Sequence, residues 1–160
     1  MTRAPEEAYT VRPVARGDRA AVARELAAYL AYIGEDLDVD GLDHDIVHWE
    51  REYGGAAGAL LVVEDPAGEI VGTAGVRTFE PGVAEIKRMW VQPRCQGLGL
   101  GRRLMVSCLE QARALGFRVV RLDTERKMTA ALGLYRSFGF REIGDYNGNS
   151  RAQVWMELEF

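Results

Sequence analysis

Cysteine is scarce in this chain. There are only two, Cys95 and Cys108, too few for a disulfide framework. No apolar stretch approaches the ~18 residues of a membrane-spanning helix, and the opening residues, with Pro5, Glu6 and Glu7, do not read as a signal peptide. A basic surplus is missing too: the formal net charge is −4, which argues against a nucleic-acid binder. Histidine is limited to His44 and His48. They stand one helical turn apart, but no third ligand has suitable spacing, so two surface histidines are expected rather than a metal site. These absences leave the cytoplasm as the default address, with no membrane, nucleic acid or metal expected.

The 160 residues are 48% hydrophobic and 28% charged, with no low-complexity run or repeat. That suits one domain spanning 1–160, able to bury ~70% of its unfolded surface. Ala8 to Val14 reads as a first strand. Asp18 is placed to cap a helix running to about Ile33, with Val22, Leu26, Tyr29, Leu30 and Ile33 as its apolar stripe and Gly34 as its stop. The acidic segment 35–45 follows, then a shorter helix through Ile46, Val47 and Trp49, capped by Asp43. Strands are expected at 59–64, 70–79 and 84–91, with Asp65-Pro66-Ala67-Gly68 and Pro81-Gly82 as turns. Beyond the central helix, 118–124 reads as a strand and 127–138 as a helix stopped by Gly139. A strand at 141–146 and a strictly alternating strand at 151–160 close the chain. The order β-α-α-β-β-β-α-β-α-β-β describes a single-domain α/β (α+β) fold. Its mixed sheet of six to seven strands is flanked on both faces by about four helices.

The chain is organised around Gln96-Gly97-Leu98-Gly99-Leu100-Gly101-Arg102. From Leu98 the apolar residues recur with helical spacing through Leu115, and Gly116 follows as a stop. A helix opening in a glycine-rich loop turns free N–H groups and the positive end of its dipole outward, which suits a phosphate. Glycine lets the backbone approach a pyrophosphate closely and take positive φ. A P-loop fails, because Gly101 precedes Arg102-Arg103 rather than Lys-Ser or Lys-Thr. A dinucleotide fingerprint needs G-x-G-x-x-G, whereas the third glycine here comes one residue early. Asp123 is placed to act as its ribose acid, but the charged strand Glu85-Ile86-Lys87-Arg88 does not suit a central parallel strand.

Coenzyme A is the remaining reading. Gln96 to Gly101, after a strand ending Val91-Gln92-Pro93, resembles the acetyl-CoA signature of the GNAT superfamily of N-acetyltransferases. The resemblance extends to Glu85–Trp90, to Arg121-Leu122-Asp123-Thr124 and to Leu134-Tyr135-Arg136-Ser137-Phe138-Gly139-Phe140. It implies a transferase moving acetyl from acetyl-CoA to a primary amine, on a small molecule or peptide, by direct attack in a ternary complex. It also implies a sheet splayed beside the cofactor strand, and Lys87-Arg88 suits a bulge there. In such a site, backbone groups of Met89, Trp90 and Val91 hold the pantetheine and the oxyanion. Gln96, Gly97, Leu98, Gly99, Leu100, Gly101 and Arg102 hold the pyrophosphate, and Ala131 lies beside the cofactor. The side chains of Arg102 and Arg103 are expected in solvent.

Acyl transfer to an amine requires a neutral amine, a donor for the oxyanion and a proton for the thiolate. By resemblance Tyr135 is the general acid, and Glu85 is the candidate base. One departure stands out: many relatives carry an asparagine where this chain has Met128. Cys95, in the loop, is read as a bystander and Cys108 as a small buried hydrophobe. The acceptor side would be walled by the first helices and the acidic segment. Glu35, Asp36, Asp38, Asp40 and Asp43 either attract a cationic amine or form a solvated loop and cap helices. Trp49, Tyr53 and Trp90 are apolar-wall or core residues. A non-catalytic acyl-CoA sensing module on the same fold remains the alternative, and the sequence is compatible with a homodimer.

Overall fold

The computed structural model describes residues 5–160, so the reading of residues 1–4 as no leader lies outside the described residues. Among the described residues there are seven strands: β1 Thr10–Pro13, β2 Gly58–Glu64, β3 Ile70–Glu80, β4 Val83–Val91, β5 Val119–Thr124, β6 Arg141–Ile143 and β7 Val154–Glu159. They form one sheet in the order β1-β2-β3-β4-β5-β7-β6. The helices are α1 Arg19–Ile33, α2 His44–Val47, α3 Trp49–Glu52, α4 Leu100–Ala114 and α5 Thr129–Ser137.

The apolar stripe of α4 (Leu100, Leu104, Met105, Cys108, Leu109 and Ala112) is buried. It packs with Leu132 and Tyr135 of α5 on one face of the sheet. Val22 and Leu26 of α1 pack with Tyr53, Leu60, Val62 and Ile70 on the other face. Burial in this apolar setting pushes the Cys108 thiol up to about 12, which leaves it an inert hydrophobe.

All neighbouring strands run antiparallel except β4 and β5, which pair in parallel at only Val83–Val119, Ala84–Val120 and Glu85–Arg121. Beyond that point β4 stays with β3 as far as Val91, and β5 stays with β7 as far as Thr124. The two strands therefore part, each held by its outer neighbour. The cause lies in β4. Thr73 and Gly75 of β3 face Trp90 and Lys87, so β4 carries one extra residue across that step. Arg88 sits in it at φ 58, the only positive φ outside glycine among the described residues. A bulge of this kind bends its strand and increases its twist, and Thr73 Oγ1 donates to the Arg88 carbonyl at 2.8 Å to hold it.

Several local expectations are corrected. Helix α4 begins at Leu100, with Gly99 as its cap at φ 73; its opening needs a left-handed residue that Leu98 does not supply. The second helix is broken into two single turns, α2 and α3, at His48. Asp18 and Asp43 precede helices but cap neither through their side chains. Asp18 instead takes Arg12, six residues earlier, at 2.7 Å and the Ala15 N–H, because a charged guanidinium outcompetes the weaker cap bond.

Candidate active site: the cleft where β4 and β5 part

A cleft of about 630 Å³ opens where the strands separate. One end is made of backbone. The loop before α4 carries Gly97 at φ 83 and Gly99 at φ 73, and the space where a Cβ would stand is open at both. The first amides of a helix lack partners within it, so the start of α4 offers donors there. Lys127 to Ala131, at the start of α5, form the opposing lip. Arg102 is exposed, as expected, and there it donates to Ser137 Oγ at 3.0 Å and lies over the Phe138 ring at 5.0 Å, whereas Arg103 is half-buried and donates to the Tyr9 carbonyl at 2.9 Å. Gln96 folds back onto the Val91 carbonyl at 3.2 Å.

The middle of the cleft is the bulge itself. Ile86 to Val91 line it, and their β5-facing backbone edge has no strand partner once pairing stops at Glu85. Tyr135 reaches this region from α5, 7% exposed, with its hydroxyl 3.9 Å from Met89 Sδ. Burial pushes the phenol well above its ordinary value, with smaller contributions from Tyr29, Cys108 and Asp123. It stays protonated throughout the physiological range.

The two carboxylates nearest the split stand in different settings. Glu85 is 1% exposed and does not line the cleft. It receives Arg77 at 2.9 Å, Tyr146 at 2.6 Å and Asn147 at 3.0 Å. Asp123, at the end of β5, does line the cleft. Its Oδ2 accepts from Asn147 at 2.6 Å and Asn149 at 3.1 Å, and its Oδ1 lies 3.6 Å from Lys87 Nζ. Asn147 thus bridges both carboxylates. The sequence reading gave Asp123 only a ribose role and did not single out Asn147 or Asn149. The Asn147-Gly148-Asn149 turn was the available signal.

At the far end, the acidic segment is tied off. Buried Asp43 accepts from Arg88 at 3.2 Å, Arg151 at 2.9 Å and the Asp38 N–H at 2.8 Å. Asp45 takes Arg88 at 2.5 Å and the Tyr53 hydroxyl. Burial works to raise the Asp45 pKa, but the Arg88 hydrogen bonds and charge, with Tyr53, outweigh it and hold the group at about 2. Arg151 also lies 3.3 Å from Glu35, and Asp38 bonds the Leu42 N–H at 3.0 Å. Of the aromatic candidates, Trp90 lines the cleft. Tyr53 is core, its ring lying where a side chain on Gly75 would stand, and Trp49 lines a separate groove.

Of the residues singled out from sequence, the cleft brings together Met89, Trp90, Val91, Gln96, Gly97, Gly99, Leu100, Gly101, Arg102, Ala131 and Tyr135. Leu98 packs against the core. Cys95 is buried and lines the cleft beside the Tyr9 hydroxyl, 3.8 Å from its Sγ. Met128 lines it at the start of α5. The exposed His44 and His48 rings lie 4.5 Å apart, tilted by 47°.

A mixed sheet split beside a glycine-capped helix defines an acyl-transfer fold, and similarity to known proteins agrees. Residues 20–140 match the acetyltransferase (GNAT) family model, and the chain belongs to that family of acyltransferases. It is 35% identical over 133 residues to an uncharacterized N-acetyltransferase of Schizosaccharomyces pombe, covering 82% of each chain. It is 32% identical over 145 residues to the N-alpha-acetyltransferase RimI of Mycobacterium tuberculosis, covering 88% of this chain and 84% of that one. In fold it is similar to a GNAT-family acetyltransferase from Staphylococcus aureus, with a TM-score of 0.84 at 18% identity over 95% and 99% of the two chains. A structure from Salmonella typhimurium, solved with its cofactor acetyl-CoA, matches with a TM-score of 0.71 at 23% identity over 94% and 93%. No described helix is long and apolar enough to cross a membrane.

Proposed function

We propose that this protein transfers an acetyl group from acetyl-CoA to a primary amine by direct attack within a ternary complex. The observation that carries the reading is convergence. A glycine-built helix start, an unpaired strand edge and a buried protonated phenol share one cleft.

The residues fit the cosubstrate. The open spaces beside Gly97 and Gly99 and the amides at the start of α4 suit a pyrophosphate. The β5-facing edge of Met89–Val91 suits amide groups that pair as an added strand would. Acetyl-CoA supplies the activated acetyl thioester. Backbone N–H groups of the bulge stabilise negative charge developing on the carbonyl oxygen. Tyr135 holds a proton at its phenolic oxygen for the departing thiolate, whose ordinary pKa of ~8.5 lies well below that of a buried phenol.

For the amine proton, two carboxylates share the work. Asp123 faces the cleft and receives the proton at a carboxylate oxygen. Glu85, taken from sequence as the base, is here a positioning residue: it holds Asn147, whose amide donates to both carboxylates, and takes up no proton itself. The test is thiol release from acetyl-CoA across an amine panel, for wild type and Tyr135→Phe. Amine-dependent release that falls at least ~10-fold in the variant supports the acid role. Release unchanged by the substitution removes that role. Acetyl-CoA binding without release for any amine would instead favour a sensing module.

A further inference from the structure

The end of the cleft away from the glycine loop has a composition of its own. Its wall is Tyr29, Tyr32 and Ile33 from α1, Leu42, and Trp90 from β4. The Tyr29 and Tyr32 rings lie 6.2 Å and 5.2 Å from the Trp90 ring, at 65° and 57°. Apolar surface continues outward around the mouth. Tyr32 is 53% exposed and Leu42 36%. Scattered single apolar residues are ordinary on a surface, but a cluster at a cleft mouth marks something that binds there.

The charge packed behind this wall is paired. Three carboxylates, Glu35, Asp43 and Asp45, stand against the guanidinium groups of Arg88 and Arg151 within 3.3 Å. A polycation in the cleft would have to compete with the two arginines for Asp43 and Asp45, and the exposed Asp36, Asp38 and Asp40 do not line it. A substrate carboxylate would have to displace those same carboxylates from Arg88 and Arg151. Separating buried ion pairs is costly, so neither exchange favours binding. Lys87, the remaining cation by the bulge, faces Asp123.

We infer that the acceptor is a small primary amine carrying an aromatic or bulky apolar body and no carboxylate. The body lies on Tyr32 and Trp90, and the amine reaches inward to Asp123. This rests on the N-acetyltransferase reading and narrows it to a substrate class. Tyr32 is the sharpest probe, because more than half its surface meets solvent and its loss leaves the core intact.

The experiment is thiol release from acetyl-CoA with five acceptors: phenethylamine, propylamine, phenylalanine, spermidine and a short peptide beginning with phenylalanine. Wild type and Tyr32→Ala are compared, with melting temperatures as a control for folding. The expected result is kcat/KM for phenethylamine at least ~10-fold above the other four, about what burying one ring contributes. Tyr32→Ala should shrink the preference for phenethylamine over propylamine by about fivefold or more, mainly through KM. Preference for spermidine, phenylalanine or the peptide overturns the inference while leaving the N-acetyltransferase reading standing. So does a phenethylamine preference indifferent to Tyr32→Ala. No release with any acceptor, in protein that acetyl-CoA stabilises against heat, overturns both.

Discussion

The two ends of the cleft are built from different materials. The glycine-loop end is backbone: a run of residues close in sequence, two left-handed glycines and the amides of one helix start. The acceptor end is side chain, assembled from α1, the acidic segment, the bulge in β4 and the loop before β7, with Arg88 reaching Asp45 43 positions away and Arg151 reaching Asp43 across 108. A backbone-built site binds what every member of a family shares, because main-chain donors depend little on side-chain identity. A side-chain-built site carries the specificity, and it depends on a network that one substitution disrupts.

Five outcomes would sharpen or break that contrast. The largest concerns the middle of the cleft, where both ends meet: Tyr135→Phe should lower kcat by about 100-fold with little change in KM for acetyl-CoA, measured by thiol release. A comparable loss for Asp123→Asn with a small one for Glu85→Gln would place the base in the cleft; the reverse order would return it to Glu85.

Next comes the acceptor-end network. Asp45→Asn should destabilise the fold by about 3 kcal/mol in denaturant unfolding, because Arg88 stays buried without its main counter-charge. A loss below about 1 kcal/mol would mean that the network is not a structural unit.

At the glycine end, Gly99→Val forces a β-branched residue to positive φ and should raise the KM for acetyl-CoA about 10-fold with a smaller effect on stability. The network also carries a pH signature. The Asp45 pKa is depressed to about 2 from an unfolded value of 3.8, so its stabilisation is fully present above about pH 4 and is lost as pH falls toward 2. That amounts to about 2 kcal/mol by linkage, and Asp45→Asn should flatten this part of the stability–pH curve. The smallest effect is predicted for Asp36→Asn: a KM for spermidine changed by less than about twofold. A rise of fivefold would restore the acidic segment as a cation trap.

Much of the glycine end was legible in the chain. The spacing from Leu104 to Ala112 is a local property that any helix must satisfy, and positive φ at Gly97 and Gly99 is a demand that glycine meets without strain. The bulge was legible too, since adjacent charges at Lys87 and Arg88 break the alternation of a strand. The acceptor end was misread in its details for one reason. Asp43 carries the signature of a helix cap, yet it was drawn instead to an arginine. A cap preference of about 1 kcal/mol yields to a charged, bidentate partner brought within reach by the fold.

What the sequence determined by itself, then, is the order of elements, the apolar stripes and the helix that opens in a glycine loop. Each depends on periodicity or backbone freedom within a few residues. Tertiary structure alone decided which carboxylate meets the cleft. Glu85 and Asp123 end on strands that part just beyond Glu85. The side of that opening each faces follows from the bulge at Arg88 and from the Asn147 turn that closes over both. It decided equally that Glu35, Asp43 and Asp45 of the acidic segment are paired, because Arg88 and Arg151 arrive from elements remote in sequence. Coulomb attraction between buried partners depends on where the chain brings them, and no local spacing encodes that distance.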